Sequence, residues 1–303
     1  MATTITTGAH PKALWPGIHA WWGRMYNEHV EEFTDLFDME TSDKQYEEDV
    51  EITGFGLAPV KPEGTAIVYD TETQGAVSRY THLAYALGYI VTYEELRDNL
   101  YEVVSKRRAQ ALAFSMRQTK ENVGANVYNR AFNASYTFGD GTTMISLVHP
   151  TLAGNQSNQL TTAADLSEAA IEDLVIQIMQ TQNNRGLRIS NLPGSLHVPP
   201  QLWFESNRIL KSILQNDTAN NAINVLRATN ALPKGIKVNH YFTSATAWWI
   251  RTNIPRSMQW FTREGVSFDQ DNDFDTKNAK AACYERYSAG MTDFRGVFGT
   301  AGV

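Results

Sequence analysis

The side chains best equipped for chemistry in this 303-residue chain are scattered. Its seven histidines, His10, His19, His29, His82, His149, His197 and His240, include no pair at metal-ligand spacing. A zinc centre needs three or four converging ligands, and a single cysteine, Cys283, with no HExxH does not supply them. The run Asp269-Gln270-Asp271-Asn272-Asp273-Phe274-Asp275 begins like a calcium loop. Its sixth position is Phe274 where the sharp turn demands glycine, and its twelfth is Lys280 where a bidentate glutamate belongs. It reads as an acidic turn between strands. Gly54-Phe55-Gly56 opens like a dinucleotide fingerprint, but Pro59 takes the third glycine's place. There is no Walker A loop and no Gly-x-Ser-x-Gly elbow. The Trp248-Trp249 pair could stack on a carbohydrate or peptide, which keeps an α+β ligand-binding enzyme in view as an alternative. No catalytic constellation or cofactor site emerges, so the chain is expected not to be an enzyme.

Bulk properties narrow the class further. A hydrophobic content of 42% with mean hydropathy −0.37 describes a folded protein, and no apolar run approaches the roughly 18 residues that cross a bilayer. The start, Met1-Ala2-Thr3-Thr4-Ile5-Thr6-Thr7, lacks the basic and apolar parts of a signal peptide. Together with the lone cysteine this fits folding in a reducing cytosol. Net charge is −7, with no Lys/Arg tract of the kind that clamps phosphates, which argues against tight nucleic-acid binding. Surrounding nucleic acid without neutralising it remains allowed.

The elements that would position these residues are unevenly distributed. Thr92-Tyr93-Glu94-Glu95 forms a capping box. Behind it Leu96, Leu100, Val103, Val104, Ala111, Leu112 and Phe114 make an apolar stripe. One helix is predicted over 92–131, on the order of 60 Å long. Lys106, Arg107, Arg108, Arg117 and Lys120 give it a basic segment, read as a solvated face or a weak DNA-facing surface. Before it, residues 46–81 are extended around the turn-rich Ala58-Pro59-Val60-Lys61-Pro62-Glu63-Gly64. Such a hairpin needs a surface to lie on, and a neighbouring subunit could provide one. Ala13 to Met39 reads as a helical arm too short for its own core. Ala170, Ile171, Leu174, Val175, Ile178 and Met179 predict a second helix, capped by Asp165 or Ser167 and stopped at Gly186. A strand at 195–198, a short helix over 202–214 and strands at 237–242, 258–261, 281–287 and 294–299 follow.

This order, arm, extended loop, very long helix, polar loop, helix, strand and returning strands, resembles the major capsid proteins of tailed bacteriophages, of Hong Kong 97-type fold, with greatest similarity to the Mu-like major head subunit group. The resemblance is carried by Gly54-Phe55-Gly56-Leu57-Ala58-Pro59 with Lys61-Pro62-Glu63-Gly64, by Arg79-Tyr80-Thr81-His82 with Leu87-Gly88-Tyr89-Ile90-Val91-Thr92, and by His149-Pro150-Thr151-Leu152-Ala153-Gly154 with Ser157-Asn158. Leu196-His197-Val198-Pro199-Pro200-Gln201-Leu202-Trp203 and Thr292-Asp293-Phe294-Arg295-Gly296-Val297 complete it.

The resemblance implies an α+β fold with an N-terminal arm (1–45), an extended E-loop hairpin (46–80), a P domain (81–165) holding the spine helix 92–131, an A domain (166–255) with a central sheet, and return strands of the P domain (256–303). It implies self-assembly as pentamers and hexamers into an icosahedral shell around double-stranded DNA, located in the virion and assembled in the cytoplasm of a bacterial host. It implies no cofactor, metal or membrane. Expected partners are copies of the chain, a scaffold, a portal and, as in some relatives, a decoration protein, with DNA held without sequence-specific binding. Many relatives begin with a scaffolding segment, so a separate scaffold or earlier cleavage is implied. Inter-subunit contacts are expected at Trp21, Trp22, Phe55, Leu57, Lys61, Pro62, Ile67 and Tyr69. Some relatives crosslink through an E-loop lysine; Lys61 is near the tip, but no acidic or asparagine partner can be named. The alternative within this fold is an encapsulin-like compartment shell.

Overall fold

The computed structural model describes Trp22, Tyr26 and residues 30–94, 101–215 and 222–303. In chain order its strands begin with β1 (Asp38–Thr41), β2 (Tyr46–Ile52), β3 (Gln74–Thr81) and β4 (Leu83–Val91). The long helix follows as α1 (Tyr101–Asn129). Then come β5 (His149–Thr151), β6 (Gly154–Gln156), α2 (Glu168–Met179), β7 (Pro193–Val198), α3 (Trp203–Lys211) and α4 (Val225–Ala228). The remainder is β8 (Ile236–Val238), β9 (Trp248–Thr252), β10 (Met258–Asn272), β11 (Ala279–Met291) and β12 (Val297–Thr300).

Over its described length α1 spans about 43 Å at 1.5 Å per residue. Tyr93 and Glu94 are also helical, while Glu95 and the stripe residues Leu96 and Leu100 lie outside the described residues. The rod lies on a four-stranded sheet of order β1-β10-β11-β4. Two core clusters fill the interface. Ala125 and Tyr128 of α1 pack with Trp260, Tyr287 and Met291 of that sheet, and Ala109, Leu112, Ala113 and Met116 pack with Phe268, Ala281 and Cys283. Gly124 permits the closest approach, because a Cβ there would stand 2.9 Å from Cβ of Phe33.

The second sheet, β12-β9-β7-β8, is buried on both faces. Successive residues of a strand point to opposite faces, so Trp248 and Trp249 of β9 enter different cores. Trp248 joins Ile171, Leu174 and Ile178 of α2, while Trp249 joins Tyr128 and Phe242. Val297 and Phe298 of β12 divide in the same way. Both tryptophans are almost fully buried, which removes the expected stacking platform.

Several expectations change. Phe33, Leu36 and Phe37, read as part of a docking arm, belong to the central core of their own subunit, and β1 runs parallel to β10. The last strand pairs with β9, so the 256–303 segment ends in the second sheet and not with β10 and β11. Helix α2 has Ser167 as N-cap, its side chain accepting from the Ala170 amide, and stops at Gln180. Gly186 lies beyond, in a turn at φ 80°. The basic segment of α1 is partly turned inward. Arg117 is buried and pairs with Glu31 at 2.5 Å, and Lys120 reaches the buried Glu285 at 3.5 Å. Neither serves a solvated or DNA-facing surface. Among the described residues no helix is long and apolar enough to cross a membrane.

Candidate assembly surface

The strands β2 and β3 pair antiparallel from Tyr46↔Thr81 to Ile52↔Gln74. Period-two alternation gives this ribbon two unlike faces. The acidic residues Glu47, Asp49 and Glu51 turn toward the body, where each finds a partner. Lys44 meets Glu47 at 2.9 Å, Gln259 donates to Asp49 at 2.9 Å and Arg295 donates to Glu51 at 3.1 Å. From β3, the Tyr80 hydroxyl meets Thr292 at 2.5 Å. Gly139 and Gly290 let the ribbon lie flush, since a Cβ at either would collide with Ser78 or Tyr80. The outward face presents Tyr46, Val50 and Ile52, with Arg79 stacked 3.9 Å over the Tyr46 ring.

Beyond the Thr53–Thr73 crossing, where the Thr53 amide donates to the Thr73 carbonyl at 3.1 Å, the chain has no strand until β3. At its far end the Thr65 amide and hydroxyl close a turn onto the Pro62 carbonyl at 3.3 and 2.8 Å, with Gly64 supplying φ 78°. Phe55 is 57% exposed, Leu57 82%, Ile67 64% and Tyr69 89%. Apolar surface contributes roughly 25 cal/mol per Å² when removed from water, and against the described residues these side chains leave more than half of their surface uncovered. Lys61 and Pro62 are exposed at the same end. Trp21 lies outside the described residues. Trp22 is a correction. It is 3% exposed, stacked on Tyr26 and Phe268 at 5.2 and 5.4 Å, so it has no surface left to offer a neighbour.

Exposed apolar side chains also stand elsewhere among the described residues. Phe274 projects from the tip of the β10–β11 hairpin, the acidic turn read from the sequence, where Lys280 pairs with Asp273 at 2.9 Å. A cleft of about 470 Å³ lies between α2 and α4, lined by Val175, Ile176, Met179, Leu192 and Val225 with Glu172 as its charged group. A single carboxylate among aliphatic side chains cannot divide acid and base roles.

The pair that most resembles catalytic machinery is structural. His149 is buried, with Nδ1 2.5 Å from Asp140 and Nε2 3.0 Å from Asn158 Oδ1, and its ring stacks on Phe294. Burial works to raise the Asp140 carboxyl, but hydrogen bonds from His149 and Thr142 outweigh it and hold the group below its ordinary range. Asn158 donates to the carbonyls of Met144, Phe294 and Val297, which rivets the 140–158 loop to the C-terminal segment. His197 is fully buried in β7, and burial lowers its pKa to about 3. It stays neutral.

Sequence reasoning did not find the anchors of the ribbon and of the excursion beyond it. Arg185, Gln259 and Arg295 lie more than a hundred residues away in sequence, and no local pattern connects them to it. The alternating acids Glu47, Asp49 and Glu51 were the one available signal that this strand needed cationic or donor partners.

A family model described as phage capsid protein matches residues 75–299. No curated protein matches. Among solved structures, the fold is similar to a virus-like particle from Pyrococcus furiosus, at 12% identity over 94% of this chain and 98% of that chain, TM-score 0.55. It is similar to the capsid of the native GTA particle, at 9% identity over 88% of each chain, TM-score 0.55. A chain of Mycobacterium phage Patience matches at 11% identity over 97% of this chain and 88% of that one, TM-score 0.52. At such identities the likeness concerns the fold, which is the α+β, Hong Kong 97-type architecture expected from the sequence.

Proposed function

Because the chain belongs to the phage capsid protein family, a family of structural proteins, we propose that it is the shell-forming subunit of a tailed-phage head. In this reading it assembles as pentamers and hexamers into a closed icosahedral shell around double-stranded DNA, with a portal and a scaffold as further partners. The observation that carries this is the 53–73 excursion, whose apolar side chains are exposed beyond a firmly anchored base. Residues 46–80 act as the E-loop, and Phe55, Leu57, Lys61, Pro62, Ile67 and Tyr69 contact the adjacent subunit. Residues 1–45, 81–165, 166–255 and 256–303 correspond to arm, P domain, A domain and return strands, apart from the exchange of β12 between sheets. Many weak contacts per subunit then act together, each contact raising the effective concentration for the next.

An acidic wall suits a container, since repulsion keeps packed DNA from adhering to it. An encapsulin-like compartment would share the fold, so fold likeness does not separate the two; the match to the phage capsid family favours the head. Deleting residues 54–68 tests the proposal. The expected product is a folded, soluble subunit that forms no closed particles, and normal shells in negative-stain micrographs would refute the E-loop assignment.

A further inference from the structure

The strap formed by residues 54–72 is tied to its own subunit by one cationic side chain, Arg185, in the loop that follows α2. Its guanidinium donates to the carbonyl of Gly54 on the outgoing limb at 3.3 Å and to the carbonyl of Thr71 on the returning limb. It also lies 3.6 Å from the Asp70 carboxylate, which itself accepts from the Gly56 amide across the strap at 2.8 Å. One planar fork thus closes the neck from both sides. This geometry suits arginine and not lysine, whose ammonium is a point charge.

The mount of this fork is stiff. Asn183 Oδ1 accepts from the amides of Arg185 and Leu187, both at 2.9 Å. The Asn184 carbonyl accepts from the Ala153 amide at 3.0 Å, and its side chain accepts from Arg295 at 2.5 Å. Arg295 in turn holds Glu51 at the top of the ribbon. Below the Thr53–Thr73 crossing the ribbon is therefore bolted at several points, whereas among the described residues Arg185 is the one side chain of the body seen to hold the strap above it. Gly54, at φ 68°, stands at the junction.

We propose that Arg185 is a catch that sets the direction in which the strap leaves the subunit, with the swing point at Gly54 and the Thr53–Thr73 crossing and not at the root of the hairpin. The shell reading gives the catch its use, because a strap serving neighbours at different angles must be held and also released. The catch itself is a property of the isolated subunit. It links strap direction to the end of α2, so a shift of that helix relative to the ribbon moves the strap or frees it.

Distance measurement between nitroxides on Val60→Cys and Ile176→Cys tests this in full-length, unassembled subunits. Both sites are exposed and Cys283 is buried, so labels go to the introduced thiols. A single narrow distribution is expected for the parent, at least doubled in width by Arg185→Ala. Arg185→Lys is expected to broaden it as well, and Asp70→Ala tests the same catch from the exposed strap, independently of how the loop variant folds. Parent-like widths in Arg185→Ala, or in Asp70→Ala should the loop variant not fold, overturn the catch whatever particles form. Failure of the parent chain to form closed particles would overturn the shell reading and leave this result standing.

Discussion

The strap at 54–72 and the helix α1 are both rich in apolar residues, yet they treat them in opposite ways. Tyr128, Ala125 and Ala113 of the helix are completely buried against their own sheet, while Leu57, Val60 and Tyr69 of the strap are more than four-fifths exposed. Helical periodicity gathers apolar side chains onto one stripe that a sheet can cover. The strap is extended without being a strand, and it stands beyond the last residues of β2 and β3 that pair. The comparison teaches that burial in this subunit is completed inside the body and left incomplete at the strap.

The sharpest way to break that contrast is to remove core volume. Trp260→Ala would empty a site packed against Phe33 at 4.5 Å and Tyr287 at 4.7 Å, and should cost about 3–5 kcal/mol in chemical denaturation. Gly124→Pro would break α1 where it meets Phe33, at about 3 kcal/mol or more; an unchanged melting profile would contradict a continuous rod.

A subtler test concerns Glu121, buried in α1, whose two oxygens accept from the amides of Glu32 and Phe33 at 3.1 and 2.9 Å and so cap the short helical turn Phe33–Asp35. Burial raises its pKa from 4.5 to about 7, against the lowering effect of those two amides. The folded state therefore binds this proton more tightly than the unfolded one. Its contribution is fully present below pH 4.5 and is lost as pH rises through about 7, by up to about 3 kcal/mol. Measured at pH 5 and pH 8, the stability difference should shrink in Glu121→Gln relative to the parent.

The smallest effect is expected on the strap itself. Ile67→Ser with Tyr69→Ser should leave subunit stability within about 0.5 kcal/mol while reducing particle yield in assembly assays. A large loss of subunit stability would mean that these side chains are packed at home after all.

Much of this contrast was legible before any coordinates. The stripe from Val103 to Phe114 announced a helix, Asp165 or Ser167 announced the start of α2, where the structure uses Ser167, and Pro62 with Gly64 announced the turn at the strap's end, because each depends on neighbours a few residues apart. Strand β9 was not legible as a strand, since Trp248-Trp249-Ile250 has no alternation when both faces of its sheet are buried. Trp22 looked like a contact for a neighbour only because the surface that receives it, Phe268, is contributed from the far end of the chain.

What the sequence by itself determined is thus the set of local elements, the absence of a recognisable catalytic grouping in its motifs, and an excess of apolar residues on an extended, proline-punctuated segment. What only the tertiary structure decided is which partners those elements receive. Arg117 and Lys120 turn inward to Glu31 and Glu285, Arg295 holds Glu51, and Arg185 grips the strap. Local pattern encodes backbone period and capping, which short-range sterics and hydrogen bonds fix. The pairing of charges across one or two hundred residues depends on topology, and a linear pattern carries no record of it.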